Sequence, residues 1–141
     1  TDDVRQLTVN QIKAISTGAL AGLTPGQMAV LSTLQLNALT APQVSTLNSQ
    51  QVMSLSSDQV ASLGAVQLGS MTSTQLAGLE TEDMSALGTK LVKTLNTSQV
   101  AALSATQVAA MTTQQVSLLS TDQLNALTTA GLSALGSASI Q

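Results

Sequence analysis

Most of the charged side chains, the first candidates for chemistry, lie in one stretch. Glu80, Glu82 and Asp83 are followed by Lys90 and Lys93. Three carboxylates this close could bind a cation, but a calcium loop needs an alternating Asp/Asn ladder with a glycine at its turn. This stretch has no such ladder. Acids in the first turn of a helix also interact favourably with its dipole, and the lysines could pair with them across the fold. We favour this structural interpretation and predict no metal ligands here.

Serine and threonine hydroxyls are abundant, yet the sequence offers no base to activate them. It contains no His and no Cys, which excludes Ser-His-Asp and Cys-His catalysis and the usual zinc ligands. Neither a GxxxxGKS/T loop nor a GxGxxG loop is present to hold phosphate. We predict a non-enzyme with no catalytic, cofactor-binding or metal-binding residues. The rows of Ser and Thr could carry sugars or order water, but helix capping and solubility already account for them.

The charge balance argues against nucleic acid and membrane partners. Seven acids and four bases leave a net charge of −3, so no basic surface is available to neutralise phosphates. Apolar residues make up 43% of the chain, but polar residues interrupt every run well before the ~20 residues that a membrane helix needs. The chain opens with TDDVRQ, without an initiating Met or a signal-like segment. We expect residues 1–141 to form a single repeat segment of a longer array.

An eight-residue repeat organises the whole sequence. In a first register every eighth residue is Leu, Ile or Met, and we call these the closing residues: Leu7, Ile15, Leu23, Leu31, Leu39, Leu47, Leu55, Leu63, Met71, Leu79, Leu87, Leu95, Leu103, Met111, Leu119, Leu127 and Leu135. A second apolar register, the inner residues, has the same period: Val4, Ile12, Leu20, Met28, Leu36, Val44, Val52, Val60, Leu68, Leu76, Met84, Val92, Val100, Val108, Val116, Leu124, Leu132 and Ile140. No insertion interrupts either register, so the pattern predicts a repeat protein.

The residue after each closing residue has the features of a helix cap. It is Ser, Thr or Asn in 13 of 17 octads, and Gln stands three positions later in 12 octads. This is a capping box, in which the cap side chain accepts from the Gln N–H and the Gln side chain accepts from the cap N–H. Pro25 and Pro42 fall in the first turn of the predicted helices, where proline is tolerated. Ala19, Leu91 and Gly131 replace the expected Gln, and we expect weaker capping there.

Three alternatives compete with a coil of short helices. One continuous helix would let the apolar stripe drift by about 80° per octad. A β-solenoid would place the two registers, which lie three and five residues apart, on opposite faces of a strand. Disorder is the third alternative. We predict an all-α solenoid, a superhelical coil of very short capped helices with one helix per octad. The pattern leaves open the number of octads per superhelical turn and the hand of the coil.

The octads resemble the low-complexity repeats of very large secreted or surface proteins of proteobacteria, which are often described as adhesin-like. The resemblance covers residues 3–140 and rests on the cap, the Gln, the inner residue and the closing residue of each octad. It implies an extracellular location and supplies no catalytic residues.

The expected function is structural. We predict a non-enzymatic extracellular repeat protein that acts as a stalk, spacer or self-assembling filament. The alternative is an adhesion module that binds a protein or glycan through the outer face of the coil. The octads run from Val4 and Leu7 to Leu132, Leu135 and Ile140, so each end should expose apolar residues. The expected partner is therefore a further set of repeats of the same chain or another copy stacked end to end.

Overall fold

The computed structural model describes residues 2–138, and every regular element within this range is an α-helix. The predicted all-α coil of short helices is confirmed. The helices are α1 (Asp2–Arg5), α2 (Val9–Ala14), α3 (Thr17–Ala21), α4 (Pro25–Ala29), α5 (Thr33–Asn37), α6 (Ala41–Ser45), α7 (Ser49–Met53), α8 (Ser57–Ser62), α9 (Ala65–Ser70), α10 (Ser73–Ala77), α11 (Thr81–Ala86), α12 (Thr89–Thr94), α13 (Thr97–Ala101), α14 (Ala105–Ala109), α15 (Thr113–Ser117), α16 (Thr121–Ala126) and α17 (Thr129–Ala138).

Each helix begins where the sequence places its cap. Thr24, for example, has extended backbone angles of φ −71° and ψ 156°. The Gln27 N–H donates to Thr24 Oγ1 over 3.2 Å, and the Thr24 N–H donates to Gln27 Oε1 over 2.8 Å. The same reciprocal pair of bonds opens α2, α4, α5, α7, α8, α10, α13, α14, α15 and α16. The capping box predicted from the sequence is therefore what starts most helices.

The closing residues end the helices. Leu63, for example, has φ −59° and ψ 132°, which is extended backbone that cannot continue an α-helix. Its N–H still donates to the Val60 carbonyl over 3.0 Å. This three-residue bond satisfies an orphan carbonyl of the last turn. The chain then enters the next cap, so each octad makes one short helix.

The helices wind into a superhelix in which each helix packs on the one three places later. The packed pairs are α2 with α5, α3 with α6, α4 with α7, α5 with α8, α6 with α9, α7 with α10, α8 with α11, α9 with α12, α10 with α13, α11 with α14, α12 with α15, α13 with α16 and α14 with α17. Hydrogen bonds between turns recur at a separation of 28 residues. Since 28 divided by 8 is 3.5, one superhelical turn takes about three and a half octads.

Both apolar registers line the interior of the coil. The inner residues are buried from Val4 to Val108, and the closing residues are buried from Leu31 to Met111. Near the two ends of the described range, burial is incomplete. Leu7, Ile15 and Leu23 are only partly buried at one end, as are Val116, Leu119 and Leu124 at the other.

The last described helix departs from the octad pattern. A new helix was predicted after every closing residue, but α17 runs from Thr129 through Leu135 and Gly136 to Ala138 without a break. Gly136 has no cap side chain to accept an N–H, so nothing at this position stops the helix. The predicted break at this octad is therefore wrong. Ile140, which continues the inner register, lies outside the described residues.

Candidate functional site: glutamines that join successive turns

The most distinctive polar feature of the coil is a set of buried glutamines that use both halves of the side-chain amide. In α7, Gln51 Oε1 accepts from the Asn48 N–H over 2.9 Å. Its Nε2 donates to the carbonyl of Leu20 over 3.0 Å and to that of Leu23 over 2.7 Å. Leu20 lies in α3 and Leu23 closes that octad, one superhelical turn earlier. One amide therefore caps its own helix and holds the end of an earlier one.

This arrangement repeats along the coil. Ten glutamines in this slot are buried: Gln35, Gln43, Gln51, Gln59, Gln67, Gln75, Gln99, Gln107, Gln115 and Gln123. Nine of them donate to the carbonyl of the closing residue 28 positions earlier, over distances of 2.6 to 2.9 Å. Gln115 instead donates to Gly88, 27 positions earlier. We call this set the glutamine ladder.

The chemistry of the ladder requires an amide. A carboxylate could accept from the cap N–H but has no hydrogen to donate to a carbonyl, whereas an amide does both. A buried carbonyl left without a donor costs roughly 1–3 kcal/mol. None of the buried side-chain nitrogen or oxygen atoms in the described range lacks a hydrogen-bond partner. The ladder is thus a saturated structural network with no group held ready to react.

The acidic stretch singled out in the sequence adopts the structural arrangement. Glu80 precedes α11, while Glu82 and Asp83 lie in its first turn. The Glu80 N–H donates to Asp83 Oδ2 over 3.1 Å, so Asp83 takes the acceptor half of the glutamine role. Within residues 2–138, no group of three potential ligands is placed to hold a metal ion.

Lys90 takes a role that the sequence did not indicate. Pairing with the acids across the fold was expected, but the Lys90 Nζ donates to the Ala61 carbonyl over 2.7 Å and lies 3.4 Å from the Leu63 carbonyl. Leu63 is the closing residue that a glutamine at position 91 would reach. Leu91 there is fully buried and has no donor. The neighbouring ammonium group therefore supplies the donor that the leucine lacks.

The backbone around Gly88 shifts the ladder by one residue. Gly88 has φ 57°, the one positive φ in the described range, and glycine adopts this conformation without strain. Leu87 before it stays helical, with φ −65° and ψ −18°. Gln115 accordingly donates to the carbonyls of Met84 and Gly88. Glycine thus lets the chain turn where the closing residue fails to extend.

Two other departures from the octad also have local explanations. Gly64 has no cap side chain, but its N–H donates to Asn37 Oδ1 of the previous turn over 2.9 Å. Asn37 Nδ2 donates to the Ser62 carbonyl over 2.7 Å. Gly131 replaces a glutamine and is buried, and a β-carbon there would lie 3.5 Å from both Val108 and Leu127. Its small size brings α17 close to α14.

No pocket opens between these helices in the part of the chain that the structure describes. No helix among residues 2–138 is both long enough and apolar enough to cross a membrane.

Comparison with protein families places the repeat. The family model of the ALTTAQ repeat matches residues 1–33, 76–113 and 101–129, which together exceed half of the chain. The chain belongs to the ALTTAQ repeat family. The match supports the prediction of a repeat protein, whereas the resemblance to adhesin-like proteobacterial proteins stays a prediction. No curated protein and no solved structure gives a match to this ALTTAQ repeat chain.

Proposed function

We propose that this ALTTAQ repeat chain is a non-enzymatic structural protein of the cell exterior that acts as a spacer or stalk. The glutamine ladder carries this proposal. It fixes each turn to the previous one through buried amide-to-carbonyl bonds, and the same contact serves every octad it joins. A chain built this way gains length by adding octads, because each new octad repeats contacts already made.

The composition supports the same function. Only 8% of the residues are charged, and the bonds that join the turns are mainly between neutral amides and carbonyls. Neutral hydrogen bonds depend little on ionic strength, whereas exposed ion pairs are screened by salt. Such a coil would keep its length in surroundings of variable salt, as an extracellular spacer must.

A length series tests the structural proposal. Copies of Asn96–Leu103 would be inserted after Leu103, and the longest dimension would be measured by small-angle X-ray scattering. We expect a constant increment per inserted octad at constant cross-section. An equal number of inserted residues with the octad sequence scrambled serves as the control. A dimension that grows as the cube root of chain length would refute a spacer.

The location needs its own test. Antibody labelling and protease treatment of intact cells of the source organism should reach the protein if it lies outside the cell. Labelling only after cell lysis would refute the extracellular part of the proposal and leave the spacer part standing.

Adhesion through the outer face remains a second candidate because large apolar side chains project from the coil. Leu34, Met53 and Val66 are each more than half exposed. Replacement of all three by serine should abolish binding to a host protein or glycan surface if this face is adhesive. Unchanged binding would remove the candidate.

A further inference from the structure

The two ends of the described coil carry complementary halves of the contact that joins its turns. We propose that a second copy of this chain docks end to end and head to tail, with Gln11 and Gln27 of one copy donating to closing-residue carbonyls in the last turn of the other. The inference rests on the proposed structural function and adds to it a partner, a polarity and a set of contacts.

The first turn has donors without acceptors. Gln11 Oε1 and Gln27 Oε1 accept from the N–H groups of Thr8 and Thr24, each over 2.8 Å, so both side chains are already held in the ladder position. Their Nε2 groups have no hydrogen-bond partner among residues 2–138, unlike those of the ten buried glutamines. The amides are therefore preorganised to donate to a turn placed before the first one.

The last turn has acceptors without donors. The carbonyls of Leu119 and Leu127 occupy the same octad position as those of Leu23 and Leu47, which receive bonds from Gln51 and Gln75. No donor reaches the Leu119 or Leu127 carbonyl within the described part of the chain. A turn placed after the last one could supply the missing amides.

Apolar surface at both ends supports the same docking. Leu7, Ile15 and Leu23 are partly buried in the first turn, whereas their equivalents from Leu31 to Met111 are buried. Val116, Leu119 and Leu124 are likewise only partly buried near the other end, and Leu132 is 46% exposed. Each end therefore has apolar area that a further turn would remove from water.

Complementarity fixes both the occupant and the polarity. Inside the chain, each glutamine-bearing face already packs on a carbonyl-bearing face one turn earlier. Contact between two first turns would oppose donors to donors, and contact between two last turns would oppose acceptors to acceptors. A second copy placed head to tail repeats the internal contact. Such a heterologous interface does not close on itself and yields linear assemblies.

The first experiment removes the donors while keeping the caps. The double variant Gln11→Glu/Gln27→Glu retains an oxygen for each cap N–H but loses both Nε2 groups. Gln50→Glu/Gln114→Glu is the matched control, since both glutamines are exposed, lie outside the ladder slot and change the charge equally. Sedimentation velocity and negative-stain microscopy of the 141-residue chain over a range of concentrations would follow assembly, with circular dichroism as the check on folding.

We expect linear assemblies of the unchanged chain and of the control, and association that is about tenfold weaker or more for the first variant. A chain that stays monomeric at every concentration would overturn the inference. Equal assembly of the two double variants would also overturn it. Either result leaves the spacer proposal intact, because the length series tests that proposal on monomers.

A second experiment tests the polarity. The chain has no cysteine, so Asn10→Cys in the first turn and Asn125→Cys in the last turn each introduce a single labelling position on an exposed residue. We expect energy transfer between the donor-labelled Asn10→Cys variant and the acceptor-labelled Asn125→Cys variant. Stronger transfer between two Asn10→Cys variants would indicate head-to-head contact and refute the proposed polarity.

Discussion

Gln107 Nε2 lies 2.8 Å from the carbonyl oxygen of Leu79, a residue 28 positions earlier in the chain. The same amide accepts from the Ser104 N–H over 3.0 Å through Oε1. Helix capping and turn stacking therefore depend on one side chain. Loss of its donor half should weaken the superhelix while leaving the local helix start in place.

The first prediction separates these two roles. Gln107→Glu should destabilise the folded chain by about 3 kcal/mol, because it buries a carboxylate against carbonyl oxygens and removes two donors. Gln11→Glu makes the same change where no earlier turn is described, and should alter stability by less than about 0.5 kcal/mol. Urea unfolding followed by circular dichroism at neutral pH measures both, and equal losses would contradict a role between turns.

The pH dependence of the Gln107→Glu variant is the second prediction. Burial disfavours the charged carboxyl, so the introduced group should have a pKa above its unfolded value. The protonated form is then favoured in the folded state. The stability deficit should be smallest below the unfolded pKa and should grow as pH rises through the folded pKa. Unfolding curves of the variant and the unchanged chain at a series of pH values would test this, and a deficit that shrinks with rising pH would contradict it.

Lys90 provides the third prediction. Lys90→Met should cost about 1–2 kcal/mol, because it leaves the Ala61 and Leu63 carbonyls without their donor. The exposed Lys93→Met is the control and should have almost no effect. In a Leu91→Gln background the restored amide could reach Leu63, so Lys90→Met should then cost less. A double-mutant cycle gives the coupling, and a coupling of zero would mean that the two side chains do not share the acceptor.

Asn37 tests the contact that replaces a missing cap. Asn37→Ala should cost about 1–2 kcal/mol, because Gly64 loses the acceptor for its N–H and the Ser62 carbonyl loses a donor. Asn125 occupies the same position of its own octad and makes no comparable bond in the described range, so Asn125→Ala should be nearly neutral. Thermal unfolding of the two variants would compare them, and similar losses would argue that the effect is local to the helix.

The fifth prediction concerns the octad itself. Deletion of Ser104–Met111 keeps both apolar registers and the ladder spacing, since it removes one whole repeat. Deletion of residues 105–111 removes seven residues and shifts every later closing residue out of phase. The first variant should retain a cooperative transition at a moderately lower melting temperature, and the second should lose helical order beyond the deletion. Comparable melting temperatures would contradict the stacking of turns.

The octad pattern predicted the helix starts because caps act over three residues, within reach of local sequence. It did not predict how many octads complete a turn, which depends on the backbone angles of residues such as Leu63 and on contacts 28 residues apart. A signal for the ladder was nevertheless present. A capping box accepts Glu or Gln, yet Glu never occupies this slot and Asp83 is its one acid. That preference is explained once Nε2 is seen to donate to an earlier turn.

Some features left no trace in the pattern. Lys90 was assigned to the acids because opposite charges are the obvious partners, whereas its actual acceptors lie 29 and 27 residues earlier. The uninterrupted α17 was missed for a related reason. Gly64, Gly88 and Gly136 share the cap slot, and only Asn37 on the previous turn and the backbone at Gly88 distinguish the first two.

A turn of three and a half octads offsets each layer of the coil by half a repeat, as courses of brick are offset in a wall. The start of α8 lies over the connection between α4 and α5, since Gln59 bonds to both Met28 and Leu31. Connections in one layer are thus bridged by a helix in the next. No straight seam of loops runs along the axis, so a break in one connection would be spanned by the layers on either side and would not propagate lengthwise.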